Sequence, residues 1–346
     1  MSMRVARDMA TLVVIGAGLA GCSKSGADAK PSSSATAGGG KIVIAVIGKS
    51  STNPVFLAAR TGAEAAAKQL SDSTKVPVEI AWLTPPAEDA EVQAQRVRQA
   101  VNDGDAGILL SASDASKLTG AINDAVDRGV PVMMFDSDAP ASKRFAFYGV
   151  DDAKTGASTM AELVKLMDGK GRVAILAGNQ NAPNLQNRVK GAKEEAAKYP
   201  GIGIVGVFNH IETPQDAAAE VIRVNNAYPD ITGWAFIGGW PLFTQTLLTD
   251  LNPARQKVAS VDALPEQLAY VEKGVVPVLL AQSVYLWGSV GVKTLYDKIH
   301  DKKDPVTKIM PMELVRVTKA NLGEYARQLQ TWGFTNVNPD YLKLPK

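Results

Sequence analysis

One cysteine and two histidines in a chain of 346 residues exclude a good deal of chemistry. Cys22 has no second cysteine with which to form a disulfide, and Cys22, His210 and His300 do not assemble into a zinc or haem spacing. No G-x-S-x-G, H-E-x-x-H or P-loop pattern occurs, and neither histidine stands by a plausible nucleophile. The reading is therefore a non-enzyme without metal or cofactor. Charge of one sign is also lacking. The 37 basic residues against 35 acidic ones leave a formal net charge of +2, with no basic run, which gives nucleic acid little support. No apolar run is long enough to span a membrane as a helix. What is present is ordinary for a globular protein, 46% hydrophobic and 21% charged, at a length that suits about two α/β domains.

The first 22 residues contain a misleading glycine pattern. Gly16, Gly18 and Gly21 match G-x-G-x-x-G. A dinucleotide site needs a helix straight after these glycines and an acidic residue about 20 positions on. The chain continues instead as CSKSGADAKPSSSATAGGG, a Ser/Gly/Ala-rich tether without apolar periodicity. An export signal fits better: Arg4 and Arg7 precede a short apolar segment over 9–20, although Asp8 is unusual there. Leu19-Ala20-Gly21-Cys22 then resembles a bacterial lipobox, in which the cysteine is lipidated and becomes the mature N-terminus. The segments expected are a lipoprotein signal over 1–22 and a flexible tether over 23–40. A soluble export signal with a chance cysteine is the alternative.

The body is organised around 41–66, KIVIAVIGKSSTNPVFLAARTGAEAA. Its apolar, β-branched start predicts a strand over 42–47 buried on both faces, as in a parallel sheet. Asn53 and Pro54 then predict a helix start, with Asn as N-cap and Pro in the first turn. The loop between them lies where open α/β sheets bind ligands, and offers hydroxyls, an amide and the Phe56 ring. An ordinary βα turn with Phe56 in the core is an equal reading of this stretch alone. Strand and helix patterns alternate onward. Strands are predicted over 78–83, 107–110, 130–135, 145–150, 172–176, 203–208, 233–237, 258–261 and 278–281. Helices are predicted over 88–101, from a cap at Ser113 or Asp114 through Val126, and over 155–167, 185–198, 216–227, 284–299 and 321–330, with an extended segment over 308–317. This alternation implies parallel sheets flanked by helices, and two sets of similar βα units imply two lobes. Trp332, Phe334 and Tyr341 are expected to pin the tail to the body.

Several predicted strands end in a hydrogen-bonding residue: Asp136 after Phe135, Asp262 after Val261, and Gln282 after Ala281. Arg188 lies in a helix after an Asn-rich turn, and Trp240 follows Gly238-Gly239. Carboxylates accept from vicinal hydroxyls, guanidinium donates a fork of hydrogen bonds, and an aromatic ring covers the C–H face of a sugar. Taken singly, an aspartate after a strand is more often a helix cap, Arg188 a solvated residue and Trp240 a core residue. Their consistent position and chemistry favour a ligand site.

These residues resemble the type I periplasmic solute-binding proteins of the ribose-binding, sugar ABC-transporter branch, over about residues 41–318. Asn53-Pro54-Val55-Phe56 matches the family's N-P-x-F after the first strand, and Phe135-Asp136 its strand-four aspartate, with Ser137 where an arginine often follows. Arg188 in RVKG matches the R-x-x-G arginine, Asp262 in VASVD the aspartate of V-G-F-D, and Gln282 the A-Q before the last long helix. Two departures bear on the ligand. Gly238-Gly239-Trp240 replaces Gln-Asn-Asp, so an amide is exchanged for a ring. Glu212, with Thr213 and Asp216, stands where the family often has an aromatic. The resemblance implies two Rossmann-like lobes joined by a three-crossing hinge, one of 41–150 plus 283–312 and the other of 151–282 plus 313–346. It implies a ligand set of Asn53, Phe56, Asp136, Arg188, Glu212, Trp240, Asp262 and Gln282. The function expected is extracytoplasmic binding of a sugar or sugar-like polyol, larger than ribose or differently decorated, by a lipid-anchored monomer, and delivery to an ABC permease. The alternatives are a sugar-sensing subunit for a chemoreceptor or kinase and, less favoured, a carbohydrate-active enzyme using Asp136 and Asp262. A sugar-responsive transcription regulator would need a helix-turn-helix where the tether lies. If Cys22 is lipidated, Cys22→Ala should move the protein from the detergent phase to the aqueous phase or leave its signal uncleaved. Equal aqueous partitioning of both forms removes the anchor.

Overall fold

The computed structural model describes residues 40–345. The expected signal, lipobox, Cys22 and most of the tether lie outside them. The described chain begins as β1 (Ile42–Ile47), α1 (Pro54–Thr74), β2 (Val78–Trp82), α2 (Ala90–Asp103), β3 (Gly107–Leu110), α3 (Ala115–Asp127), β4 (Val132–Phe135) and β5 (Ala146–Gly149). A second series follows: α4 (Asp152–Leu166), β6 (Gly171–Ala177), α5 (Pro183–Ala196), β7 (Ile202–Asn209), α6 (Pro214–Ala227), β8 (Gly233–Phe236), the one-turn α7 (Leu247–Asp250), β9 (Lys257–Val261), α8 (Pro265–Glu272) and β10 (Val278–Ala281). The chain ends with α9 (Val284–Ile299), β11 (Ile309–Pro311), β12 (Val315–Val317), α10 (Leu322–Thr331) and α11 (Pro339–Leu342).

Two six-stranded sheets result, ordered β11-β5-β4-β3-β1-β2 and β12-β10-β9-β8-β6-β7. This is the two-lobed α/β architecture expected, with one correction: β12 runs antiparallel to β10, so the second sheet is mixed. The segment read as one extended stretch over 308–317 divides between the sheets, with β11 on β5 and β12 on β10. The chain thus passes between sheets three times, after β5, after β10 and after β11. The two orders superpose element for element, β1 on β6, β4 on β9, β5 on β10. The sequence carries almost no trace of this repeat, because a buried strand asks only for apolar, β-branched residues.

Local chemistry explains the element starts. Asn53 caps α1 by accepting from Val55 N–H, and Asp89, Asp114, Asp151 and Thr213 cap α2, α3, α4 and α6 in the same way. Helix α8 was not anticipated, because its eight residues are too short for a clear 3.6-residue period. The tail aromatics do pin the C-terminus: Trp332 stacks on Tyr285 at 5.8 Å, Tyr341 Oη donates to Glu272 at 2.9 Å, and Phe334 packs against the core. Among the described residues no helix is long and apolar enough to cross a membrane.

The repeat extends to helix packing. In one lobe α1 lies on α9 with Gly62 against the Tyr285 carbonyl and Gly288 against that of Ala59. In the other, α4 lies on α5 with Gly156 against the Arg188 carbonyl and Gly191 against that of Ala153. Only the missing Cβ lets the backbones approach so closely, and the α4–α5 contact fixes the height at which Arg188 enters the cleft. Gly156→Ala should lower stability by about 1–3 kcal/mol through overpacking. Gly120→Ala, in α3 with open space at its Cβ, should raise it by about 0.4–1 kcal/mol. Thermal unfolding of the two variants beside the parent tests this; equal melting temperatures would remove the claim of close helix contact.

Candidate functional site

Asp136 and Asp262 end β4 and β9, equivalent strands of the two sheets. Both carry a left-handed backbone, with φ of 58° and 66°. A non-glycine residue there costs about 1–2 kcal/mol, and such strain gathers where a side chain has to be held in one place. Each backbone N–H still bonds to the neighbouring strand, Asp136 to the Tyr148 carbonyl and Asp262 to that of Leu280. Neither aspartate caps a helix.

The two carboxylates are held from opposite directions. Asp136 accepts from Ser111 Oγ at 2.8 Å and, across the lobes, from Asn184 Nδ2 at 3.1 Å. Asp262 accepts from Gly239 N–H and from Gln282 Nε2, both at 2.9 Å. Gln282 turns its other end to Arg188, whose Nη2 donates to Oε1 at 2.9 Å. The Arg188 guanidinium also donates through Nε to Asp152 at 2.8 Å and through Nη1 to the Ile237 carbonyl at 3.1 Å. Its Nη2 stands 3.9 Å from Asp136, beyond direct hydrogen bonding. Arg188 is thus the hub of a chain of polar groups that runs from one strand-end aspartate to the other.

A further charged group closes the far side. Lys49, just after β1, places Nζ 3.3 Å from Glu212 of the other lobe and 3.7 Å from Glu88. Apolar walls complete the enclosure. Phe56 lies 6.2 Å from both Phe135 and Trp287, and Trp240 meets the His210 ring edge-on at 5.0 Å. All eight residues expected at the site line one cavity: Asn53, Phe56, Asp136, Arg188, Glu212, Trp240, Asp262 and Gln282. Thr213, Asp216 and Ser137 are not among its lining residues; Thr213 caps α6 and bonds Asp216. The space open to a water centre is about 20 Å³, so the side chains mostly contact one another.

Sequence reading missed Lys49, Asn184 and Trp287 in this lining, and Asp152 behind Arg188. Asn184 had a usable signal, since it precedes Arg188 by four positions on one helix and shares its face. Lys49 had none, because a lysine in a polar turn reads as solvated.

The charges are unequal. Burial alone would depress the Lys49 ammonium, but Glu212, Glu88 and Asp136 outweigh it and hold its pKa above the ordinary value. Arg188 behaves likewise, burial being overcome by Asp152, Asp136 and Asp262. The acids shift upward too, which for them favours the neutral form. Burial pushes Glu212 up despite Lys49, and pushes Asp262 up despite Arg188. Burial raises Asp152 from 3.8 to about 7, with Arg188 opposing. A carboxyl with a raised folded pKa keeps its proton in the folded state between the two values while the unfolded chain loses it. Its stabilising contribution is full below about 4 and is lost as pH rises through about 7. Asp152→Asn should therefore flatten the ligand-free stability profile between pH 4 and 7 relative to the parent. Parallel profiles in chemical denaturation would show that Asp152 is ionised throughout.

The periplasmic binding protein domain model matches residues 44–303. The D-apiose import binding protein of Actinobacillus succinogenes is 27% identical over 192 residues, 55% of this chain and 60% of that protein. The xylitol-binding protein of Mycolicibacterium smegmatis is 27% identical over 128 residues, 37% of this chain and 36% of that one. The matched stretches thus span only about a third to two thirds of these relatives. The structure of an ABC transporter solute-binding protein from Burkholderia graminis in complex with D-arabinose aligns with a TM-score of 0.73 and 26% identity, over 82% of this chain and 97% of that one. With three quarters of the chain inside the matching domain model, and two lobes meeting at a shared polar cleft, the protein belongs to the periplasmic binding protein domain family.

Proposed function

We propose that the protein binds a small neutral sugar or polyol between its lobes and presents it to an ABC permease outside the cytoplasm. The observation that carries this reading is the pairing of Asp136 and Asp262, held in the left-handed region at equivalent strand ends of opposing lobes, on either side of the buried Arg188. Such a pair accepts from hydroxyls on both sides of one ligand. The 3.9 Å gap between Arg188 and Asp136 suits a hydroxyl that accepts from the guanidinium and donates to the carboxylate. Asn53, Asn184 and Gln282 add neutral donors and acceptors, Glu212 adds a carboxylate, and Phe56 and Trp240 cover C–H faces. Relatives named for D-apiose and xylitol, and a neighbour holding D-arabinose, support a compact, hydroxyl-rich ligand.

In this reading the lobes are 41–150 plus 283–312 and 151–282 plus 313–346, hinged at the three crossings, and the ligand favours the closed arrangement by contacting both. Lipidation at Cys22 would tether the folded monomer to the membrane. Hydrolysis is disfavoured, because both aspartates are fixed by side-chain or backbone donors.

A thermal-shift panel of pentoses, pentitols and hexoses, with mass spectrometry of any retained small molecule, tests the function. A ligand at about 100 times its dissociation constant adds about 2.7 kcal/mol. Asp136→Ala and Asp262→Ala should each weaken sugar binding about 5- to 200-fold, the scale of 1–3 kcal/mol for a stranded polar group. Unchanged affinity with a large fall in ligand-free melting temperature would make both residues structural.

A further inference from the structure

The cleft holds a second, larger cavity at its mouth, of about 870 Å³, open to solvent and lined by polar side chains that include Glu88, Ser113, Asp114, Asn179 and Asn209. Among the described residues Glu212 alone lines both this cavity and the inner one. Its carboxylate is fixed from three sides. Asn179 N–H donates to Oε1 at 3.0 Å, Lys49 Nζ lies 3.5 and 3.3 Å from the two oxygens, and the carboxylate folds over Gly178, where a Cβ would come within 2.5 Å of Oε1. Lys49 is held in turn by Glu88 on the mouth side. The Lys49 and Glu212 side chains are 3% and 4% exposed, so the pair is a packed partition and not a surface bridge.

We propose that Lys49 and Glu212 form the end wall that sets ligand length: they confine the inner cavity to a single compact sugar or polyol and bar a second ring from the mouth. The proposal rests on the carbohydrate reading and adds a limit to it. Two features support a steric wall in addition to any hydroxyl contact. The partners come from different lobes, so the wall forms only as the cleft shuts. The space beyond it is lined with the donors and acceptors a second sugar ring would need, and Glu212 is the lining residue it shares with the inner site.

The test uses xylitol and D-arabinose as compact probes and the disaccharide xylobiose as the long one, by thermal shift and calorimetry on the parent, Glu212→Gln and the double variant Lys49→Ser/Glu212→Ser. Removing both partners avoids leaving one buried charge alone. The parent should bind a compact probe and not xylobiose, and Glu212→Gln, which keeps the volume of the wall, should discriminate against xylobiose as the parent does at whatever compact-probe affinity it retains. The double variant should raise xylobiose affinity relative to the compact probe by at least about tenfold, the scale of a gained hydroxyl contact. Xylobiose binding to the parent overturns the wall, whatever the variants do, and so does a folded double variant that gains no xylobiose binding; both results leave the carbohydrate reading standing. Failure of the parent to bind any member of the wider panel of pentoses, pentitols and hexoses, these probes included, overturns the carbohydrate reading, and the wall with it.

Discussion

A guanidinium whose side chain is 3% exposed stays charged only if its surroundings replace the lost water. Around Arg188 they do so with Asp152 at the start of α4, the carbonyl at the end of β8, and Gln282 at the end of β10. Two of these three points, Asp152 and Gln282, lie beside places where the chain passes between lobes. The requirement to solvate one buried charge therefore ties the polar cleft to the crossings between the two sheets. It also explains the close α4–α5 contact: with a Cβ at Gly156, the Arg188 backbone would have to move away from its acceptors.

The second constraint is the pseudo-repeat. Equivalent strand ends deliver Asp136 and Asp262, and each is bent into the left-handed region so that its carboxylate turns into the cleft while its N–H stays in the sheet. The lobes differ in what surrounds these aspartates. Asp136 is met by a serine and an asparagine, whereas Asp262 is met by a backbone amide and a glutamine shared with the arginine. Matched frames with different surroundings suit a ligand that has no symmetry of its own.

Much of this was legible in the sequence. The strands β1, β3 and β10 and the helix α9 have the bounds expected, because continuous apolar runs bounded by polar or glycine residues leave the strands few alternatives. The eight expected site residues gather in one cavity, because Asp136, Asp262 and Gln282 follow strand ends and Asn53, Phe56 and Arg188 lie near the starts of helices that follow strands. Other features were hidden for physical reasons. The division of 308–317 between two sheets depends on long-range pairing, which short strands do not encode locally. The inward turn of Lys49 depends on Glu212, which is 163 residues away. Asp152 carries no local signal of its role, because its bond to Arg188 depends on the tertiary approach of α5 to α4.

Closure of two lobes around a shared ligand is the central claim, and solution X-ray scattering measures it most directly. Scattering should be recorded without sugar and with whichever panel sugar calorimetry shows to saturate the protein. A fall in radius of gyration on saturation, with more sugar needed to reach it in Asp136→Ala, is the predicted result. An unchanged radius at calorimetrically proven saturation would contradict the account, because the ligand would then be bound without drawing the lobes together.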